Sequence, residues 1–255
     1  MKWLKRLFPN SAPEISTPAA SQNQTFKDRV DEFWVWFSQN AQRLFEVIEA
    51  GKCGDLTKEI SSQIDRLSPH FGWVFGPGAG RIGHSFTLTP ESNGAKAFLA
   101  EYWLSQAPDL ENCTFYDARQ PGRTDGVIRI HDESVDASAI WETLKPDEEA
   151  QRFDLLVWHP VFSKLEQRDR FQILFLWLDE ILGEKCTAKW IGSIEFNDSD
   201  FRSVVPLKEL REKVQEARES KGWQSEDQIG VVYEMEPKTG RLREEALLER
   251  PPANS

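Results

Sequence analysis

Apolar positions between residues 163 and 183 recur at helical spacing and predict the central helix of the fold. Ser163 and Glu166 match the S-x-x-E capping box, and Gly183 stands where a left-handed residue ends a helix. We therefore expect a helix covered on most sides, with Gln172, Asp179 and Glu180 left for water. The apolar stripe consists of Phe171, Leu174, Phe175, Leu178, Ile181 and Leu182, widened by Ile173, Leu176 and Trp177.

The amino-terminal half of the chain predicts helices first and strands afterwards. Thr25 and Asp28 resemble a capping box, and the apolar helical stripe that follows them ends at Gly51. A second helix is expected to start at Asp55 and to end before Pro69. Apolar and polar residues then alternate as in strands. The predicted strands are 71–75, 84–89, 113–118 and 127–131, with a third helix, capped by Ser92 or Asn93, before Pro108.

The carboxyl-terminal half predicts a hairpin on one side of the central helix and a strand on the other. The hairpin pairs 139–144 with 153–158 across the acidic turn 145–150. A strand is expected at 187–196. Pro206 is suited to the first position of a further helix that runs to Gly222. A last edge strand is predicted at 229–233.

The order strand–strand–helix–strand therefore occurs twice, at 71–118 and at 139–196. In both halves a Cys-Thr pair follows the helix and is expected to open the next strand. The pattern predicts an α+β fold with a mixed, mainly antiparallel sheet built from the two units and packed against helices. The two units can form one sheet or two subdomains. A single domain is preferred, because no linker-like composition separates the halves.

Outside that domain, which is predicted to span residues 25–235, the chain has three other segments. The composition of residues 11–24 predicts a Pro/Ser/Ala linker, and that of residues 236–255 predicts a charged tail. Residues 1–10 are basic and amphipathic, a composition typical of membrane-surface helices, but two turns of helix are marginal in water. A membrane or partner contact is therefore the minority interpretation of this segment. Its apolar face consists of Trp3, Leu4, Leu7 and Phe8.

Composition narrows the possible functions. The 255 residues are 39% hydrophobic, which is enough for one sizeable core or two small ones. The formal net charge of -11 argues against a general nucleic-acid binder. An acidic surface suits a basic protein partner, although solubility is the simpler explanation. Three cysteines without C-x-x-C spacing, and the lack of a long apolar run, predict a cytoplasmic protein.

The sequence contains one literal G-x-G-x-x-G, at residues 78–83. The dinucleotide fingerprint needs this loop to lead into a helix, but strand-like residues follow it, so we interpret it as a hairpin connection. His159 is expected to be a hydrogen-bonded structural histidine rather than a catalytic base. Neither metal-ligand spacing nor a nucleophile elbow is found. We therefore predict no cofactor, no metal and no catalytic residue.

The best candidate for binding a small anion is the loop that carries Arg119 and Arg123. Two guanidinium groups at the end of a predicted strand can contact a carboxylate or a phosphate. An ordinary solvated turn remains the favoured interpretation. The enzyme or ligand-binding alternative requires these arginines, the 76–83 loop and His131 to converge on one pocket.

Four segments carry a resemblance to a family of uncharacterised bacterial proteins. They are Phe33–Phe37 (FWVWF), Gln106–Pro108, Arg119–Pro121 and Leu178–Glu184 (LDEILGE). The resemblance covers residues 25–197 and implies a bacterial cytosolic protein, without supplying an activity or a site.

The leading hypothesis is a non-enzymatic cytosolic module that binds another protein, as an inhibitor, an immunity-like protein or a regulator does. It rests on the acidic body, on the many aromatic residues and on the lack of a coherent catalytic set. The competing hypotheses are the ligand pocket at Arg119, Arg123 and His131, and membrane tethering through residues 2–8.

Overall fold

The computed structural model describes residues 24–198 and 205–223, together with the backbone of strands 232–235 and 242–245. The predicted α+β class is confirmed. The helices of the described part are α1 Phe26–Glu49, α2 Thr57–Leu67, α3 Gly94–Ser105, α4 Gln167–Leu182, α5 Glu184–Trp190 and α6 Leu210–Lys221. The strands are β1 Gly72–Pro77, β2 His84–Thr89, β3 Cys113–Tyr116, β4 Val127–Ile130, β5 Glu133–Asp136, β6 Trp141–Asp147, β7 Arg152–Trp158, β8 Ile191–Phe196, β9 Val205–Pro206, β10 Val232–Met235 and β11 Leu242–Glu245.

The two predicted strand–strand–helix–strand units have the same strand pairing but form separate sheets. In the first, β1 and β2 form an antiparallel hairpin and β3 returns parallel to β2 after α3. In the second, β6 and β7 form the hairpin and β8 returns parallel to β7 after α4 and α5. The second sheet has the order β8-β7-β6-β9. β4 and β5 form a two-stranded ribbon, of which only β4 was predicted.

Each of the two units has its own hydrophobic core. The first core lies between the β1–β3 sheet and helices α1, α2 and α3, and it is rich in aromatic rings. Trp34 and Trp103 stack there with their centroids 4.5 Å apart. The second core surrounds α4 and includes residues of the second sheet and of α6. Burial of these apolar side chains is the main force that holds each unit together.

Helix α1 begins as the sequence predicts. The Thr25 side chain accepts a hydrogen bond from the Asp28 backbone N–H, and the Asp28 side chain accepts one from the Thr25 backbone N–H. Helix α4 does not begin as predicted. Ser163 lies in a 3-10 turn at 162–164, the helix starts at Gln167, and its N-cap residue Glu166 makes no capping hydrogen bond.

Burial along α4 follows the predicted stripe, with two exceptions. Leu174, Leu178 and Ile181 are fully buried, as expected of the central helix. Phe175, predicted to be inside, is 39% exposed. Asp179, predicted to face water, is only 3% exposed. Asp179 is buried because the carboxyl-terminal end of α4 packs against Arg119 of the first unit, which the helical period of the sequence cannot reveal.

Two boundaries in the second unit also differ from the prediction. Residues 187–190 belong to α5, so β8 starts only at Ile191. Cys113 opens β3 as expected, but Cys186 lies inside a helix, so the two Cys-Thr pairs are not structurally equivalent. Pro206 pairs in β9 and precedes a 3-10 turn instead of starting α6. Helix α6 runs to Gly222 as predicted, and Gly222 has the left-handed conformation.

The predictions for the carboxyl-terminal segment fall partly outside the described residues. Of the strand predicted at 229–233, only 232 and 233 are described, and they belong to β10. Within the segment predicted as a tail, β11 pairs antiparallel with β10. The predicted amino-terminal segment and the predicted linker, except Gln24, lie outside the described part, so the domain boundaries remain predictions.

In the described part of the chain, no helix combines the length and the apolar character that crossing a membrane requires.

Gly183 joins α4 to α5 in a conformation that other residues rarely adopt, with φ +85° and ψ 147°. A Cβ atom there would lie 2.9 Å from Cδ of Pro121. We therefore expect Gly183→Ala to lower the free energy of unfolding by about 1–3 kcal/mol in urea titrations. Gly94→Ala is the matched control, because its Cβ would meet nothing within 4 Å. A control that loses as much stability as Gly183→Ala would contradict the prediction.

Candidate functional site

Arg119, the first candidate for anion binding, is engaged inside the protein. Its guanidinium donates to Oε1 of Glu91 at 2.6 Å and to Oδ2 of Asp179 at 3.1 Å. Its side chain is only 17% exposed. Burial lowers the pKa of Arg119, but Glu91, Asp179 and Glu184 outweigh that effect and raise it overall. The positive charge is therefore neutralised within the fold and is not presented to an anion in solvent.

Glu184 completes this cluster and links the two units. It is the first residue of α5, is 1% exposed, and lies at the end of α4. Its carboxylate accepts hydrogen bonds from the Thr89 hydroxyl at 2.6 Å, the Ser92 N–H at 2.9 Å and the Arg119 N–H at 3.0 Å. We call Glu91, Arg119, Asp179 and Glu184 the junction cluster, because they connect the first sheet to α4 and α5.

Within the junction cluster, burial disfavours the charged form of Asp179. Burial raises its pKa to about 6, although the adjacent Arg119 acts in the opposite direction. The ion pair with Arg119 thus weakens as the pH falls below 6. Since the cluster ties two elements of different units, we interpret it as a structural connection.

Arg123 and His131 lie at opposite ends of α4. The Arg123 backbone N–H donates to Glu180, and its side chain, which is 60% exposed, contacts Asp125. The His131 ring, which is 70% exposed, lies 2.9 Å from Asp169. Asp169 and Glu180 are eleven positions apart on α4, a separation of roughly 16 Å along a helix. The structure therefore does not bring His131 together with the two arginines.

The glycine-rich loop at 76–83 is also distant from them. It connects the antiparallel strands β1 and β2, as the hairpin interpretation predicts, and the Ala79 N–H donates to the Thr114 hydroxyl. This loop adjoins His84, whereas the junction cluster contacts Thr89 at the other end of β2. Five strand positions separate the two ends by roughly 17 Å. The pocket required by the anion-binding hypothesis is not formed.

His159 is buried and accepts a hydrogen bond at Nδ1 from the Val161 N–H, 3.1 Å away. Burial lowers its pKa to about 4, so the ring is neutral at physiological pH. These contacts support the prediction of a structural histidine. Among the described residues, no three His, Cys, Asp or Glu side chains are grouped in a way that could hold a metal ion. Trp3, Leu4, Leu7 and Phe8 lie outside the described part.

The group that stands out chemically is Glu142, which sequence reasoning did not select. It lies on β6, paired with Val157 of β7 and with Val205 of β9. Its side chain is on the same face of the strand as Ile140 and Leu144, which pack in the second core. The signal was present in the sequence, since a charged residue alternates with two apolar ones in a predicted hairpin strand.

The carboxyl group of Glu142 is shielded from water and has no hydrogen-bond partner among the described residues. The residue is 0% exposed, and neither Oε1 nor Oε2 has a hydrogen-bond partner among the described residues. Burial raises its pKa to about 7, and the positive charge of Lys213 opposes this only in part. At neutral pH the group is therefore divided between its charged and protonated forms.

Glu142 lines a cleft of about 520 Å³ between β6 and α6. We call this the β6–α6 cleft. Its described walls combine apolar and polar side chains. The ammonium of Lys213 lies 3.8 Å from the carboxylate of Glu216 on the same helix. The described lining residues are Glu142, Thr143, Leu144, Val205, Lys213, Glu216, Ala217 and Ser220.

Comparison of the chain with protein-family models, with curated proteins and with solved structures found no match.

Proposed function

We propose that the protein is an acidic, non-enzymatic module that binds a basic protein partner, in the manner of an inhibitor, an immunity-like protein or a regulator. The formal net charge of -11 supplies a negative field around the molecule. Complementary charge accelerates the encounter of two proteins and selects among partners.

The observation that carries the proposal is the placement of basic side chains. Several arginines donate to neutral backbone carbonyls and so neutralise no carboxylate through those bonds. Arg29 donates to Leu67 and Arg211 to Ile181, while Arg170 donates to Leu165 and also pairs with Asp198. Arg119 is enclosed in the junction cluster. Part of the positive charge thus holds the chain together, while many carboxylates remain on the surface.

Four exposed carboxylates far apart in the sequence allow the field to be weakened without disturbing the core. They are Asp65, Asp109, Asp132 and Glu149. We expect the protein to capture a basic partner from extracts of its own cells at low salt and to release it as salt screens the charges. Conversion of the four carboxylates to amides should lower the amount captured several-fold. The captured partner is then purified and mixed with the protein to test for a defined complex by size-exclusion chromatography.

The matched control exchanges Asp for Glu and Glu for Asp at the same four positions, which keeps the charge. This control should capture as much partner as the natural sequence. Equal capture by the amide variant, or failure of the purified partner to form a complex, would refute the proposal.

A further inference from the structure

We propose that the outer edge of β8 binds an extended segment of the basic partner, which adds a strand to the second sheet and places apolar side chains in the groove between β8 and α4. This inference rests on the proposed function, because it names the surface that holds the partner. β8 lies at one end of the sheet, in the order β8-β7-β6-β9, and no strand of the described part pairs with its outer edge. Such an edge offers a row of N–H and C=O groups to another chain.

The backbone of β8 has hydrogen-bonding groups that point away from β7. The Asn197 N–H, directly after β8, donates to the Val157 carbonyl of β7 at 2.9 Å. The backbone groups of successive residues in a strand point to opposite edges. The N–H and C=O groups of Ile194 and Phe196 therefore point outwards, and an added strand can bond to all four.

The groove between β8 and α4 provides apolar surface beside these groups. We call it the β8–α4 groove. Its volume is about 490 Å³, and its described lining residues are Gln167, Arg170, Phe171, Ile194, Glu195 and Phe196. The rings of Phe171 and Phe196 have centroids 5.0 Å apart and are only partly buried. Every second side chain of a strand beside β8 would point towards these rings.

The charges near the groove favour a basic segment. The Glu195 side chain is exposed, and strand alternation places it on the opposite face from Ile194. Arg170, which also lines the groove, pairs with Asp198 and donates to the Leu165 carbonyl. A Lys or Arg side chain opposite Glu195 would form a cross-strand ion pair. The segment that fits this edge therefore alternates apolar residues with Lys or Arg.

Two other occupants fit the edge less well. A second copy of the chain carries the same formal net charge of -11, so the two copies repel each other as they approach. A small apolar compound can fill the groove, but it leaves the outward backbone groups of β8 without partners.

The test measures the binding of labelled peptides to the full chain by fluorescence anisotropy at low salt. The probe is a short peptide in which Val and Lys alternate. One control has the same residues arranged in pairs, and the other has Glu in place of Lys. We expect the probe to bind about tenfold more tightly than either control, because it alone combines the strand period with positive charge.

Methylation of the peptide backbone tests strand addition itself. In the alternating peptide, the N–H groups of the Val residues point to one edge and those of the Lys residues to the other. Methylation of one set should therefore weaken binding about tenfold or more, whereas methylation of the other set should leave it nearly unchanged. Bound probe should also slow hydrogen exchange at the Ile194 and Phe196 amides, measured by NMR.

Two protein variants separate the roles of space and charge. Gln167→Phe fills the groove from an exposed position of α4 and should weaken binding, whereas Gln39→Phe, on an exposed position of α1, should not. Glu195→Lys should weaken binding about fivefold or more, because like charges then lie opposite each other. Glu149→Lys makes the same change in an exposed turn and should have a smaller effect. Thermal unfolding of each variant establishes that it is folded.

Several outcomes would overturn the proposal. They are failure of the probe to bind, equal binding of the paired control, equal effects of the two methylations, and binding unchanged by both Gln167→Phe and Glu195→Lys. A dimer in sedimentation that Gln167→Phe dissociates, without probe binding, would assign the edge to a second copy instead.

Failure of this proposal and failure of the proposed function can be distinguished. Partner capture that survives Gln167→Phe would overturn the assignment of the groove and leave the proposed function intact. Specific binding of the probe without capture of any partner would support the groove and refute the proposed function.

Discussion

Glu142→Gln is expected to stabilise the protein by about 3 kcal/mol at pH 8 and to have little effect near pH 4.5. Burial raises the pKa of Glu142 from 4.5 to about 7, so the folded state holds a proton that the unfolded state releases. The contribution of Glu142 to the free energy of unfolding of the wild-type protein is therefore fully present below pH 4.5, and it is lost as the pH rises to 7. Glutamine has no proton to release and avoids that loss.

Urea titrations of both proteins at pH 5, 6, 7 and 8 would measure this difference in the free energy of unfolding. The gain should increase with each step up to pH 7 and then level off. Glu149→Gln, which removes an exposed carboxylate, should stay within about 0.5 kcal/mol of the natural sequence throughout. A gain that is the same at pH 5 and pH 8 would show that Glu142 does not have the raised pKa.

Arg119→Met is expected to have the largest destabilising effect, about 3–5 kcal/mol at pH 7. The substitution removes the cation that lies between Glu91 and Asp179, and it leaves Asp179 with a buried and uncompensated negative charge. The loss should be smaller at pH 5. The reason is that the pKa of Asp179, already about 6, rises further without Arg119, so the carboxyl takes up a proton.

Arg123→Met is the matched control, because the two arginines occupy the same loop. The Arg123 side chain is 60% exposed and its ion pair with Asp125 is a surface contact, worth at most about 1 kcal/mol. Chemical denaturation at pH 5 and pH 7 distinguishes the two variants. Equal losses would mean that the junction cluster does not hold the two units together.

Local hydrogen bonding explains why one predicted helix start is right and the other wrong. Thr25 and Asp28 cap α1, and Thr25 itself has the extended conformation that an N-cap needs. Ser163 has the same pattern, but the chain there forms a 3-10 turn against the second core, with Phe162 buried. Packing of Phe162 outweighs a cap worth about 1 kcal/mol.

For Arg119 and Asp179, the sequence also predicted part of the outcome and missed the rest. Sequence reasoning selected Arg119 because it is a cation on a loop, and it assigned Asp179 to the solvent-facing side of α4. The structure joins these two residues at 3.1 Å, so each explains the burial of the other. They are sixty positions apart in the chain, and no local pattern links them.

Glu142 was missed for a different reason. Its alternation with Ile140 and Leu144 places it on the apolar face of a predicted strand, and this was readable from the sequence. The sequence does not show which residues of α6 lie against that face, because Lys213 and Ala217 reach the cleft only through tertiary packing.

The sequence by itself determined the class of the fold, most helices and strands, and the repeated order of the two units. These features follow from apolar periodicity and from turn residues, which act over a few positions of the chain. Only the tertiary structure decided that the strands form separate sheets, that Arg119 lies in a junction cluster, and that Glu142 faces a cleft without a partner. Burial and charge pairing depend on residues that are distant in sequence, and folding alone brings them together.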